Sequence, residues 1–189
     1  LRFENFGEKN QMFAVSAFYK NFKDPIELSY FESARENFQP RNLGNATVYG
    51  AEIEARKNIS DYFSINVNAS IIESKQKYGE AENTLRTLGL RSGETLSGSR
   101  ELQGQSPYLI NASIDYKDDG TRAGLYFNMQ GKTLEVVGNG ISPDIYTYPF
   151  ESLNFTFSKS FGKESKKSIN IKAENLLLSL IHISEPTRR

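Results

Sequence analysis

The sequence predicts an all-β fold, the antiparallel wall of a transmembrane β-barrel, and three observations predict it. Apolar and polar residues alternate with period two in eight separate segments. Short turns and long loops alternate between those segments, as they do in outer-membrane barrels, whereas a β-sandwich has no such order. The segments also run to about ten residues, enough for a tilted strand to cross a bilayer, while globular strands cluster near about 5–6.

Composition agrees with a fold that lacks a thick core. Only 38% of the 189 residues are hydrophobic and mean hydropathy is −0.54. Twenty-three basic residues balance twenty-three acidic ones, so no net field favours nucleic acid. The absence of cysteine excludes a disulfide scaffold and a thiolate metal site. No apolar run approaches the roughly 18 residues a spanning helix needs, so any membrane crossing must be made by strands. The chain opens on Leu1 without a signal-peptide pattern, which reads as a fragment.

In order, Leu1 and Phe3 alternate with Arg2 and Glu4, and Gly7-Glu8-Lys9-Asn10 turns the chain into Phe13, Val15, Ala17 and Tyr19. Lys23-Asp24-Pro25 and the polar stretch Glu32 to Gly44 read as a long loop. Asn45 to Asn58 then separates its faces most cleanly. Tyr49, Ala51, Ile53 and Ala55 lie on one side, with Gly50, Glu52, Glu54 and Arg56 on the other. After Ile59-Ser60-Asp61, Phe63, Ile65, Val67, Ala69 and Ile71 alternate with Ser64, Asn66, Asn68 and Ser70. Ser74 to Gly104 shows no sustained period and reads as a second long loop.

Tyr108, Ile110, Ala112, Ile114 and Tyr116 alternate with Leu109, Asn111, Ser113, Asp115 and Lys117, and Asp118-Asp119-Gly120 makes a tight turn. The next segment sets Ala123, Leu125, Phe127 and Met129 against Gly124, Tyr126, Asn128 and Gln130. A third irregular segment spans about Glu135 to Tyr146. Leu153, Phe155 and Phe157 follow, and Gly162 to Lys167 leads into Ile169, Ile171 and Ala173. Tyr108 and Tyr116 bracket an apolar stretch that rises about 20 Å along the membrane normal, the spacing of two aromatic girdles.

Charge is expensive against lipid, and this orients the faces. The expected lumen-facing set is Glu52, Glu54, Arg56, Asn66, Asn68, Asn111, Asp115, Asn128 and Gln130. The expected lipid-facing set is Tyr49, Ile53, Ile65, Val67, Tyr108, Ile110, Ile114, Tyr116, Phe127 and Phe155. Glu52 and Glu54 share a face but have no nucleophile, metal-ligand cluster or histidine beside them, so they read as wall, with Arg56 offsetting them. No catalytic, metal or cofactor site is expected. Gly138-Asn139-Gly140 is too short for a phosphate cradle. The Asn-x-Ser/Thr triplets at Asn45, Asn58, Asn68, Asn111 and Asn154 follow from barrel patterning rather than glycosylation. Arg35, Arg41, Arg86, Arg91 and Arg100 read as solvated loop charge, with contact to an anionic ligand or lipopolysaccharide as the alternative.

Four segments carry a family resemblance: FYKNFKDPIEL at Phe18 to Leu28, NATVYGAEIEARKN at Asn45 to Asn58, LQGQSPYLINASIDY at Leu102 to Tyr116, and IKAENLL at Ile171 to Leu177. Through them residues 1–177 resemble the C-terminal β-barrel portion of TonB-dependent outer-membrane receptors, particularly those of Bacteroidota-like bacteria. The resemblance implies a plugged barrel of about 22 strands, of which this chain supplies about eight. It also implies the outer membrane of a Gram-negative bacterium, with lipid, a plug domain and a TonB-type energy-coupling protein as partners. The implied activity is import of a scarce small-molecule or oligosaccharide ligand, such as a siderophore-metal chelate or a cobalamin-like cofactor. A passive porin-like barrel and a soluble β-sandwich module are the alternatives. Residues 178–189, LSLIHISEPTRR, depart from the family pattern and look like translated sequencing adapter, so His182 is set aside.

Overall fold

The computed structural model describes residues 1–8, 11–31, 34–138, 142–162, 167–178 and 183–184, with only the backbone described at 31, 34–36 and 183–184. Parts of the expected turns at 7–10 and 162–167, Asn139 and Gly140 of the loop glycine motif, the Arg35 side chain and His182 lie outside the described residues.

Chain order gives β1 (Arg2–Phe6), β2 (Met12–Phe22), β3 (Ile26–Phe31), β4 (Ala34–Asn42), β5 (Ala46–Asn58) and β6 (Phe63–Lys77). Then come α1 (Glu80–Leu88), β7 (Ser99–Arg100), β8 (Tyr108–Asp118), β9 (Thr121–Gln130), β10 (Thr133–Val136) and β11 (Ile145–Thr147). The chain continues with β12 (Phe150–Phe161), β13 (Lys167–Ala173) and β14 (Ile183–Ser184). The main sheet has the order β1-β2-β5-β6-β8-β9-β12-β13, with β7 added on β6. Its path strands are the eight alternating segments of the sequence. Each pairs antiparallel with its neighbours in the path, and among the described residues the two ends of the path, β1 and β13, do not pair with each other. The sheet is therefore an open wall.

Strand length and connection length follow the expected pattern. β2, β5, β6, β8, β9 and β12 have 11, 13, 15, 11, 10 and 12 residues. The β1–β2, β5–β6, β8–β9 and β12–β13 turns fall at one end. In the β8–β9 turn, Gly120 (φ 71°) supplies a left-handed residue that a side chain would strain. In the β5–β6 turn, the Ser60 hydroxyl accepts from the backbone N–H of Tyr62 (3.2 Å) and Phe63 (3.1 Å). The long connections 23–45, 78–107 and 131–149 fall at the other end.

The interiors of those connections differ from expectation. The first contains the β3–β4 hairpin rather than a loop throughout. The second contains α1 and β7, with β6 extending past Ser74 to Lys77. The third carries β10 and β11, which form a small sheet with β14 through Tyr146↔Ser184 and Thr147↔Ile183. Pairing between β3 and the 131–149 connection joins two of these crossings: Val137 N–H donates to Leu28 O (3.0 Å) and Tyr30 N–H to Val137 O (3.1 Å).

The buried apolar residues among those described are Ala14, Ala46, Val48, Leu134 and Val137. Within the main sheet they lie on the polar face or near the long-loop end, and none lies on the apolar face. On that face Ile53, Ile114, Leu125 and Ile169 remain 46%, 46%, 40% and 51% exposed. A soluble sandwich would have buried this face against a second sheet; an apolar surface this extensive marks contact with something other than water.

Candidate functional site: a polar wall and an ion-paired crown

Register decides which side chains share a face, because a one-residue slip would reverse every assignment. Across β5, β6, β8, β9 and β12 one row runs Glu54, Asn68, Asn111, Asn128, Ser152. The next runs Arg56, Asn66, Ser113, Tyr126, Asn154, and Asp115 and Gln130 lie in adjoining rows of the same face with Glu52. All nine residues of the expected lumen set thus fall on one side. The opposite side carries Ile53, Ala69, Ile110 and Met129 in one row, and Lys57, Ile65, Ile114, Leu125 and Phe155 in another. Val67 and Phe127 occupy the row between, and Lys57 stands beside the β5–β6 turn, where its stem can carry the ammonium to water. Tyr116 packs on Phe63 at the short-turn end (ring centroids 4.9 Å apart), while Tyr49 is paired with Tyr19 towards the other end.

Hydrogen bonds tie the polar rows together. Arg56 Nε donates to Asn66 Oδ1 (3.2 Å), and Asn66 Nδ2 donates to Ser113 Oγ and Asp115 Oδ2 (3.2 Å each). The Tyr126 hydroxyl donates to Asp115 Oδ1 at 2.7 Å. This last bond depends on Gly124, because a Cβ there would lie 2.3 Å from the Tyr126 hydroxyl oxygen. Glycine lets the ring lie back along its own strand and reach the carboxylate on β8. Arg2 donates to Glu54 (3.1 Å) and Ser16 donates to Glu52 (3.0 Å), so β1 and β2 also supply partners to the two carboxylates that share a face with Arg56. At the short-turn end a groove of about 890 Å³ opens on this wall, lined by residues including Ser64, Asp115, Tyr126, Thr156 and Lys172.

At the long-loop end, five charged side chains form a chain through all three long connections. Glu27 of β3 receives both terminal nitrogens of Arg100 (2.8 and 2.7 Å). Arg100 Nε and Arg86 Nε converge on Glu82 Oε1 (2.8 and 2.9 Å). Arg86 in turn reaches both oxygens of Asp144 (3.2 and 2.7 Å). The side chains of Glu27, Arg100 and Glu82 are 2%, 4% and 5% exposed. Burial works against the charge on Arg100, but the hydrogen bonds to Glu27 and Glu82 outweigh it and raise its pKa above the ordinary value. Burial likewise opposes the charge on Arg86, and Asp144 overturns it. Gln103 completes the crown: its backbone N–H donates to Glu27 Oε1 (2.9 Å) and its side-chain amide donates to Leu28 O (2.9 Å).

Two of the five arginines expected to be solvated loop charge are therefore ion-pair partners, Arg100 buried and Arg86 half-buried. Arg91 is exposed and Arg41 is half-buried on β4. Glu27, Glu82 and Asp144 were not singled out by sequence. A usable signal existed for one link only, since Glu82 and Arg86 stand four apart, with Ala81, Leu85 and Leu88 at helical spacing around them. Among the described residues no group of three or more His, Cys, Asp or Glu is arranged to hold a metal ion.

Long antiparallel strands, one polar and one apolar face, and short turns opposite long loops define the class as the wall of an outer-membrane β-barrel. The chain belongs to the TonB dependent receptor-like, beta-barrel family, which it matches over residues 1–176. That family comprises outer-membrane receptors and transporters of Gram-negative bacteria rather than enzymes. Among curated proteins, none matches the chain.

Proposed function

We propose that this chain is part of the barrel of a TonB-dependent receptor that imports a scarce nutrient across the outer membrane. The observation that carries the reading is the apolar face left uncovered opposite a hydrogen-bonded polar wall. In this reading Tyr49, Ile53, Ile65, Val67, Tyr108, Ile110, Ile114, Tyr116, Phe127 and Phe155 meet lipid. Glu52, Glu54, Arg56, Asn66, Asn68, Asn111, Asp115, Asn128 and Gln130 face a lumen that holds the plug. The short-turn groove then opens towards the periplasm, and the ion-paired crown stands outside the cell. Residues 178–189 are kept out of this role, a reading supported by the family match ending at residue 176. A natural stop codon directly after Arg189, read from intact DNA, would overturn that exclusion.

The test is growth of a strain lacking the gene on single limiting nutrients, compared with the complemented strain. A growth defect that complementation repairs only while the inner-membrane coupling protein is present supports active import. Repair that is independent of coupling would replace this reading with a passive porin.

A further inference from the structure

We infer that the short-turn rim of the apolar face holds the headgroup of an anionic phospholipid, between Lys159 of β12 and Lys167 of β13. The register runs Phe157↔Ile171, Lys159↔Ile169 and Phe161↔Lys167. The two lysines are therefore diagonal neighbours on the apolar face, with Phe161 and Ile169 on the other diagonal. Diagonal neighbours across a strand pair lie about 7–8 Å apart, a span that two lysine stems can close around one phosphate. Lys159 is two residues from the end of β12 and Lys167 opens β13, so both stand beside a short turn. All four side chains are exposed, Phe161 and Ile169 at 42% and 51%. Among the described residues neither ammonium group has an ion-pair partner, whereas Lys75 and Lys172 are paired with Glu73 and Glu174. Residues 163–166 read KESK, two lysines against one glutamate, so the sequence of the turn does not cancel the pair. Asp118 shares the register row of Lys159 through Thr121, but it lies two strands away. Its carboxylate already accepts from the Asp119 N–H (2.8 Å) and the Tyr116 hydroxyl (3.3 Å).

The surface around the pair selects the ligand. The lysines stand at the margin of the uncovered apolar face, where a long stem runs along lipid and the ammonium emerges at headgroup level. Phe161 and Ile169 offer apolar contact to the glycerol and the first methylenes of the acyl chains, and the lysines offer charge to the phosphate. A zwitterionic headgroup would bring its own ammonium against the pair, so the fit is to a phosphodiester of net negative charge. Lys57, next to last in β5, repeats the placement as the diagonal neighbour of Phe63, which packs on Tyr116. The other end of the same face is different. There the strands set Glu73 and Glu151 against Lys75 and Lys77, with Glu73 and Lys75 ion-paired at 3.1 Å. The net cationic rim is thus the short-turn one, and the lipid it fits belongs to the leaflet on that side.

The inference rests on the proposed function for the lipid-facing side of the wall, and the test separates the two. The intact receptor, otherwise free of cysteine, carries a bimane label at one of two positions on the apolar face. Ile171→Cys lies one step inward of the lysine pair, and Val15→Cys has Phe3 and Ile53 as its register neighbours. It is reconstituted in phosphatidylcholine vesicles that contain, at equal mole fraction, phosphatidylglycerol or phosphatidylcholine bearing a nitroxide on the acyl chain next to the glycerol. One lysine beside an anionic headgroup is worth roughly fivefold at low salt, so quenching at position 171 should favour phosphatidylglycerol by at least that factor. The ratio at position 15 should stay near unity. Lys159→Gln with Lys167→Gln should abolish the preference at 171, and Lys159→Arg with Lys167→Arg should keep it, both with a native heat-modifiable gel shift. Equal quenching by the two lipids at 171, the same preference at 15, or a preference that survives the paired glutamine changes would overturn the site. Quenching at both positions without preference removes the headgroup site and leaves the lipid face standing. Absence of quenching at both removes the lipid face itself, and with it the barrel reading.

Discussion

Removing Arg100 from the crown should loosen segments far from it in sequence. Arg100→Met keeps a stem of similar length but leaves the carboxylates of Glu27 and Glu82, 2% and 5% exposed, without their shared cation. Breaking a buried pair by deleting one partner costs about 3–5 kcal/mol, because the survivor stays buried and uncompensated. At about 1.4 kcal/mol per tenfold, that is roughly a hundredfold to a few thousandfold greater local opening. The loss should travel along hydrogen bonds. Glu27 Oε1 accepts the Gln103 N–H, Val137 N–H donates to Leu28 O, and Tyr30 N–H donates to Val137 O. Amide exchange on the intact receptor should therefore show faster exchange at Tyr30, Gln103 and Val137, with β5 and β6 unchanged. Adding Glu27→Gln to Arg100→Met should recover part of the protection by removing one unpaired charge. Faster exchange confined to residues 99–103 would refute the idea that the three connections form one body.

Three further outcomes follow from the wall and the crown. Ile53→Arg should impair barrel assembly far more than Glu52→Gln, since an arginine facing lipid near the midplane costs about 2–4 kcal/mol; equal heat-modifiable mobility of the two would contradict the assigned faces. Gly124→Ala should displace the Tyr126 ring from Asp115 and resemble Tyr126→Phe, each losing about 0.5–1.5 kcal/mol, with the double variant much less than additive in urea unfolding. Tyr146 has its phenol pushed up to about 12, chiefly by burial and then by Asp144. The folded state thus holds this proton more tightly than the unfolded chain, whose tyrosines titrate near about 10. The stabilisation is intact below about pH 10 and is lost as pH rises towards 12. Titration at 295 nm should show a late phenolate step that Tyr146→Phe abolishes.

The wall was legible in the sequence because its determinants are local. Period two in Asn45–Asn58 or Phe63–Ile71 reports both the strand and its two faces, and each strand meets its chain neighbour across a short turn or a long crossing. The crown was not legible for the opposite reason. Glu27 and Arg100 are 73 positions apart, and Arg86 and Asp144 are 58 apart, so no periodicity links them. Within single connections some signals were present but weak. Ile26, Leu28 and Tyr30 alternate, yet Pro25 precedes them and Pro40 interrupts the partner strand, which tolerates it because β4 pairs on one side only. The α1 segment has only nine residues, too few for helical spacing to stand out from the surrounding Gly, Ser and Glu.

That contrast bears on why the crown is built from charge. Among the described residues its small apolar nucleus has Leu134 and Val137 buried, together with Glu27, Ser29, Glu82, Arg100 and Thr133. Apolar residues of equal volume in place of Glu27 and Arg100 would be neutral or stabilising on general grounds, so net stability does not explain the ion pairs. Geometry does. Apolar contacts are non-directional and would let the β3–β4 hairpin, α1 and the 131–149 connection slide past one another. Bidentate guanidinium–carboxylate pairs fix distance and plane together, and both arginines converge on one oxygen of Glu82. The cost falls on the remaining oxygen, which is held in place, buried and unmatched.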